Sequence, residues 1–336
     1  MLNSDIKFNS KIFTEKIKRI SPRDGFGEGL VLAGEMNERV VALCADVTES
    51  LRMHLFRDRF PERFIQTGIA EQNMAGIASG LAASGKIPVM GTYAVFSPGR
   101  NWEQIRTTIC YNRQKVILIG SHAGLNVGPD GASHQALEDI ALMRVLPHMA
   151  VVCPADALEA RKAILAAIEY PNSVYIRLPR EKSPVFTTEQ TSWEIGKSQV
   201  LWFPKEGEQF SGITIFACGY LVYKALEAAK ELEQEGISIA VINNSAIKPL
   251  DKETLLKWAK KSKAIITLEE HQIAGGMGSA IAEFLSENHP LPIKFMGIRD
   301  KFGQSGQAEE LLKKYNLDKE AIKQTVKEIL NSKFEI

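Results

Sequence analysis

Short, almost wholly apolar runs alternate with stretches of helical periodicity along most of this chain, and that alternation restricts its possible folds more than any other feature. The runs at 40–45, 87–90, 116–120, 150–153 and 174–178 have the length and composition of strands buried on both faces. Between them, 24–36, 68–85, 136–146 and 157–169 carry apolar residues at helical spacing. Such repetition predicts an α/β fold in which a mostly parallel sheet is flanked by helices. Periodicity fades between about 183 and 210, where polar residues, Pro204 and Gly207 gather. A second series then follows, with strands at 213–218, 237–242, 264–268 and 293–297 and helices at 221–235, 252–260 and after 278. Two α/β domains are therefore expected, at 21–190 and 211–336, joined by a linker at 191–210. Residues 1–20, with Lys7, Lys11, Lys16, Lys18 and Arg19, are expected to form an amphipathic helix or an arm ordered against another surface.

A length of 336 residues suffices for two cores. Its 41 basic and 40 acidic residues nearly cancel, which removes the usual electrostatic motive for binding nucleic acid or an anionic membrane. No long apolar run follows the basic N-terminal residues, so neither a signal peptide nor a membrane span is expected. Cys44, Cys110, Cys153 and Cys218 stand far apart in apolar surroundings and read as reduced core thiols of a cytoplasmic protein.

The stretch QTGIAEQNMAGIASGLAASG, 66–85, is the most unusual local composition. Ala70, Met74, Ile77, Ala78 and Leu81 mark one buried helical face, and Glu71, Ala75, Ala78 and Ala82 mark a second face of small residues that lets another surface come close. Glu71 is the lone acid in it. Either it complements the dipole at the start of the helix, or it is a carboxyl held in an apolar pocket to exchange a proton with a ligand.

Further candidates lie where apolar runs end, the edge at which ligands gather in open parallel sheets. Asp46, Thr48, Glu49 and Ser50 follow the first run and read as site residues or as an N-capping turn. Tyr93 and Phe96 lie in a segment punctuated by Gly and Pro, as core aromatics or as flat faces for a ligand. His122, Asp130 and His134 flank or occupy a glycine-rich loop, and surface polarity is the competing explanation. Their spacing matches no standard metal-ligand pattern, so no metal site is assigned to this chain. Arg177 and Arg180 end the run at 174–178. Two glycine clusters, GFGEG at 25–29 and GGMG at 275–278, both lack the dinucleotide fingerprint.

The segments ADVTES (45–50), FPERFIQTGIAEQNMAGIASGLAASG (60–85), HAGLNVGPDGASHQALEDIALMR (122–144), CPAD (153–156), YIRLPR (175–180) and EEHQIAGGMGSAIAEFL (269–285) together resemble the transketolase family of thiamine-diphosphate enzymes. The resemblance runs from Pro22 through almost all of the chain, and GIAEQN is its most specific element. It implies a pyrimidine-binding domain followed by a transketolase C-terminal domain, and transfer of a two-carbon ketol unit from a ketose to an aldose. Glu71 would then hydrogen-bond the aminopyrimidine ring nitrogen and assist removal of the thiazolium proton, with Phe96 stacked on that ring and Tyr93 lining the pocket. His122, Asp130 and His134 would face the sugar, Asp46 would lie near the cofactor at a subunit junction, and Arg23, Ser50 and Arg177 would meet a sugar phosphate. SPGRNWEQ (97–104) departs from the usual family sequence after the aromatic pair, and Ser133 stands where Thr is usual.

The family holds Mg2+ and the cofactor's diphosphate with a Gly-Asp-Gly motif and a downstream Asn, and no Gly-Asp-Gly occurs in this sequence. The resemblance thus implies the C-terminal subunit of a split transketolase, with an N-terminal subunit supplying the metal ligands and a homodimer or heterotetramer as the assembly. Rivals are a deoxyxylulose-phosphate synthase, a 2-oxo acid dehydrogenase beta subunit, a noncatalytic subunit, and a metal-dependent hydrolase using His122, Asp130 and His134.

Overall fold

The structure is a computed structural model describing residues 1–204 and 209–331; Gly207 of the expected linker and residues 332–336 of the expected second domain lie outside them. The strands in chain order are β1 (Arg19–Ile20), β2 (Val40–Cys44), β3 (Phe64–Gln66), β4 (Ile87–Tyr93), β5 (Ile117–Ser121), β6 (Met149–Val152), β7 (Ser173–Arg177), β8 (Ser183–Pro184), β9 (Gln199–Trp202), β10 (Phe210–Ala217), β11 (Ser238–Asn243), β12 (Ala246–Lys248), β13 (Ala264–Gln272) and β14 (Ile293–Ile298).

The first sheet has the order β12-β6-β7-β5-β4-β2-β3, and all its pairings are parallel except β12 on β6. Every residue of β2, β5 and β7 is buried, as apolar runs covered by helices on both faces require. The second sheet, β14-β13-β10-β11-β9, is parallel apart from β9. The two-domain α/β expectation is met.

The domains are less separable than the sequence suggests. Gln199–Trp202, inside the expected linker, is an edge strand of the second sheet, while Ala246–Lys248 crosses back to pair with β6 of the first. One apolar cluster unites Met74, Leu118 and Val151 with Phe216, Ile242 and Met277 across the junction. The N-terminal arm contains no helix; it bridges at Leu2 to Trp202 and sets the Phe13 ring against Trp202 and Tyr223.

Both glycine clusters have packing roles. A Cβ on Gly25 would fall 1.8 Å from the carbonyl oxygen of Ala157, so glycine lets the Pro22–Met36 helix lie against the Ala157–Glu169 helix. At GGMG the amides of Met277 and Gly278 donate to Glu269 at 2.6 and 2.8 Å, so the chain's own carboxylate occupies that helix start.

The helix expected over 68–85 runs over Glu71–Ala83, starting three residues later. Glu71, Met74, Ala75 and Ala78 are buried, but Gln72, Asn73, Gly76, Gly80 and Ala83 are exposed. Only one face is covered within a single chain.

Candidate active site

Parallel pairing of β2, β4 and β5 carries Asp46, Tyr93 and His122 to the same edge of the sheet. Asp46 and His122, each just past its strand, have φ of 59° and 53°. The left-handed region is uncommon for residues other than glycine and is found where tertiary contacts hold a site. Asp46 is exposed, and its amide donates to Gln66 Oε1 at 2.8 Å.

Glu71 opens the Glu71–Ala83 helix with its side chain only 5% exposed. Its backbone carbonyl accepts from the buried Asn101 amide at 3.1 Å, and its Oε1 accepts from Arg100 Nη1 at 2.9 Å. Arg100 Cζ also lies 4.0 Å from the centroid of the Phe96 ring. The pocket expected to be apolar around Glu71 is thus closed on one side by a guanidinium. Phe96 runs nearly parallel to Tyr93 at 5.7 Å, and Tyr93 stacks on His122 at 3.9 Å. His134 stands edge-on to both aromatics, at 6.3 Å from Tyr93 and 5.5 Å from Phe96. A stacked aromatic cluster results, with one acid and two imidazoles at its margins.

His122 is buried, and burial, followed by the positive charges of Arg23, Arg180 and Arg52, holds its pKa down to about 2. Arg23 Nη1 lies 3.2 Å from His122 Nε2. The same guanidinium donates to the carbonyls of Ser50 and Arg180, both at 2.7 Å, and to Ser21 Oγ at 3.1 Å. Arg23 and Ser50 are therefore neighbours as expected, but most of the arginine's N–H groups are already engaged. Its own pKa is lowered to about 10, chiefly by burial and then by Arg52.

The loop carrying His134 and Asp130 is supported by the second domain. Glu270 on β13 accepts from the Asn126 side-chain amide at 2.8 Å and from the Asn126 backbone, and Gln135 donates to the Gln304 carbonyl at 3.0 Å. Gly124 has φ 87°, and a Cβ there would fall 2.6 Å from the Glu270 carboxyl carbon, so only glycine fits this contact. Burial raises the Glu270 pKa to about 7. His134 is half-buried with Nδ1 2.9 Å from Ser133 Oγ, whereas Asp130 is exposed at the end of the Leu125–Asp130 turn.

Arg177 is a correction. It is buried, donates through Nε to Asp139 Oδ2 at 2.8 Å, and gives Nη2 to the carbonyls of Ala136 and Glu270. Tyr175 donates to the same Asp139 oxygen at 2.9 Å. Pleating turns this final strand residue inward, and its charge binds the loop and β13 together instead of meeting a phosphate. Residues that the sequence reading did not assign are Arg100, Arg52, Arg180 and Glu270; the end of the apolar run was the only signal for Arg180. Among the described residues no group of three His, Cys, Asp or Glu is placed to hold a metal ion, so His122, Asp130 and His134 do not form the ligand set that a metal-dependent hydrolase would need. No helix among the described residues is long and apolar enough to cross a membrane.

This arrangement of strand-end aromatics, imidazoles and a helix-start glutamate coincides with the family comparisons. The profile for the transketolase pyrimidine binding domain matches residues 18–185, and that for the transketolase C-terminal domain matches residues 206–322. A putative transketolase C-terminal section of Methanocaldococcus jannaschii is 42% identical over 311 residues, covering 91% of this chain and 95% of its own. A 6-deoxy-6-sulfo-D-fructose transketolase subunit of a Clostridium species is 35% identical, covering 96% of this chain and 97% of its own. A solved split gene transketolase, described as an inactive beta4 tetramer, superposes with a TM-score of 0.84 at 43% identity over 93% of this chain and 98% of its own. The chain belongs to the transketolase family, whose members are transferases dependent on thiamine diphosphate. Within it, this chain stands with the C-terminal subunits of split transketolases, and these relatives imply a partner subunit.

Proposed function

We propose that this chain pairs with an N-terminal transketolase subunit and that the two together move a two-carbon ketol unit between phosphorylated sugars in the cytoplasm, with thiamine diphosphate and Mg2+ at their junction. One observation carries the reading of the site: Glu71 and Phe96 hold a flat N–H donor between them, the guanidinium of Arg100. An aminopyrimidine is a flat group of similar size, and its ring nitrogen takes the proton of the Glu71 carboxyl where the guanidinium now donates one, so the residues fit it. When bound, thiamine diphosphate supplies the electron sink for breaking the sugar's carbon–carbon bond.

The chain's own residues hold and orient. Glu71 keeps a proton at the pyrimidine ring nitrogen, Phe96 offers its face, and Tyr93 lines the pocket. His122, held neutral with its ring nitrogens engaged by Arg23 and Ser121, lines the sugar's approach beside Tyr93, and His134 and Asp130 take hydroxyls at the open side. Arg23, together with Arg52 and Arg180, supplies the positive field for a sugar phosphate, with Ser50 beside it. Asp46 faces the subunit junction. Mg2+ takes its ligands from the partner. The exposed face of the Glu71–Ala83 helix, with Ile69 just before it at 73% exposure, is the surface that a partner or second copy covers, giving a homodimer alone and a heterotetramer with the N-terminal subunit.

The relatives that match end to end are named as a transketolase section and a transketolase subunit, which favours this reading over deoxyxylulose-phosphate synthase. Calorimetric titration of thiamine diphosphate and Mg2+ into the chain, with and without the N-terminal subunit, followed by a ketol-transfer assay, tests it. Binding and activity are expected only with both subunits. Full activity of the chain alone would refute the divided site.

A further inference from the structure

Arg100 lies in SPGRNWEQ, the segment between the aromatic pair and the Ile105–Tyr111 helix. Its guanidinium makes both contacts that the proposed function gives to an aminopyrimidine: Nη1 donates to Glu71 Oε1 at 2.9 Å, and Cζ sits 4.0 Å from the Phe96 ring centroid. Two flat groups cannot share one face of a ring, and a ring nitrogen cannot take Glu71 Oε1 while the guanidinium holds it. We propose that Arg100 is an internal occupant of the pyrimidine's place, holding Glu71 while the cofactor is absent and swinging away when it binds. The inference rests on the thiamine-diphosphate reading of the site.

The two partners are unequally anchored. Glu71 is 5% exposed at a helix start, whereas the Arg100 side chain is 49% exposed, and Glu71 is its only side-chain hydrogen-bond partner among the described residues. Its backbone is fixed separately, by its own amide to the Phe96 carbonyl and by Gln72 to its carbonyl, so the side chain can turn without moving the chain. A buried carboxyl group needs a partner, and Arg100 provides one until the incoming pyrimidine ring nitrogen replaces it. The exchange reduces apparent affinity, because only the fraction of molecules with Arg100 displaced can bind. Arg177, fixed by a carboxylate and two carbonyls, has no such freedom.

The test is calorimetric titration of thiamine diphosphate with Mg2+ into the two-subunit complex containing wild-type chain, R100A or R100K. R100A should bind about fivefold or more tightly than wild type, and R100K, which keeps the charge but loses the flat face, should fall between them. The melting temperature of the cofactor-free R100A complex should drop, and that of the saturated complex should match wild type. Equal or weaker binding by R100A overturns the proposal while leaving the thiamine reading intact. Absence of binding by all three forms overturns both, and binding by R100A alone supports the proposal. Should R100A not fold, the R100K comparison decides: binding equal to or weaker than wild type is then the overturning result.

Discussion

Nη1 of Arg23 lies 3.2 Å from Nε2 of His122, so a permanently charged donor faces that ring nitrogen and makes it the acceptor. Ser121 Oγ stands 2.9 Å from Nδ1, which leaves the ring's one proton on Nδ1, donated to the hydroxyl. Together with burial, this pair fixes a neutral imidazole of known tautomer beside Tyr93.

A pH dependence of stability follows. His122 has an ordinary pKa of 6.5 when unfolded and about 2 when folded, so between these values the unfolded chain binds the extra proton. Stability contributed by the site is complete above 6.5 and lost as pH falls below it, by up to ~1.4 kcal/mol per pH unit. Denaturant unfolding of wild type and His122→Asn from pH 4.5 to 7.5 should show wild type losing more stability on acidification. Glu269 and Glu270, whose pKa values burial raises to about 7, act in the opposite sense but equally in both proteins. Parallel curves would refute the assignment.

Removing Arg177 should damage the fold. Arg177→Ala leaves Asp139 buried without its ion-pair partner and should cost about 3–5 kcal/mol. Reaction with phosphorylated and unphosphorylated sugars should fall by one common factor, since the arginine reaches neither. A rise in KM confined to phosphorylated sugars would contradict the buried-pair account.

Arg23→Ala should behave differently, raising KM for phosphorylated sugars more than for their free counterparts. His134→Ala and Asp130→Ala should weaken sugar use by about 1–3 kcal/mol with little change in cofactor affinity. Steady-state kinetics on paired substrates and direct cofactor titration separate these effects. Loss of cofactor binding in the His134 or Asp130 variant would remove that residue from the sugar side.

Glu71→Ala should reduce turnover by about 10²-fold or more while leaving a folded protein, and Glu71→Gln should recover little. Most of the helix packing comes from Met74, Ala75 and Ala78, which stay in place. The direct measurement is hydrogen–deuterium exchange at the thiazolium carbon in the two-subunit complex. A wild-type exchange rate in Glu71→Ala would end the assignment of the proton to this carboxyl.

Much of the fold was legible because its signals are local. Buried parallel strands must be short and apolar, and their flanking helices amphipathic, so VVALC, VILIG and ALEARKAILAAIE reveal their states without reference to distant residues. The same locality hid β3, β9 and β12, which are short segments whose conformation is set by pairing with distant strands. Strand ends likewise point to Asp46 and His122 as candidates, since the parallel sheet itself decides which edge gathers ligands.

By itself, the sequence determined the alternating α/β architecture, the family, and the chemical kinds of side chain available to the site. Only the tertiary structure decided which of those side chains are free to act. Arg177 and Arg180 end the same apolar run, yet the first is consumed by Asp139 while the second joins the charges around His122. Glu71 has an arginine from beyond the next strand as its partner. The physical reason is that a buried charge must be matched by whatever donor the fold brings within about 3 Å, and that donor lies tens of residues away in the chain, where no periodicity records it.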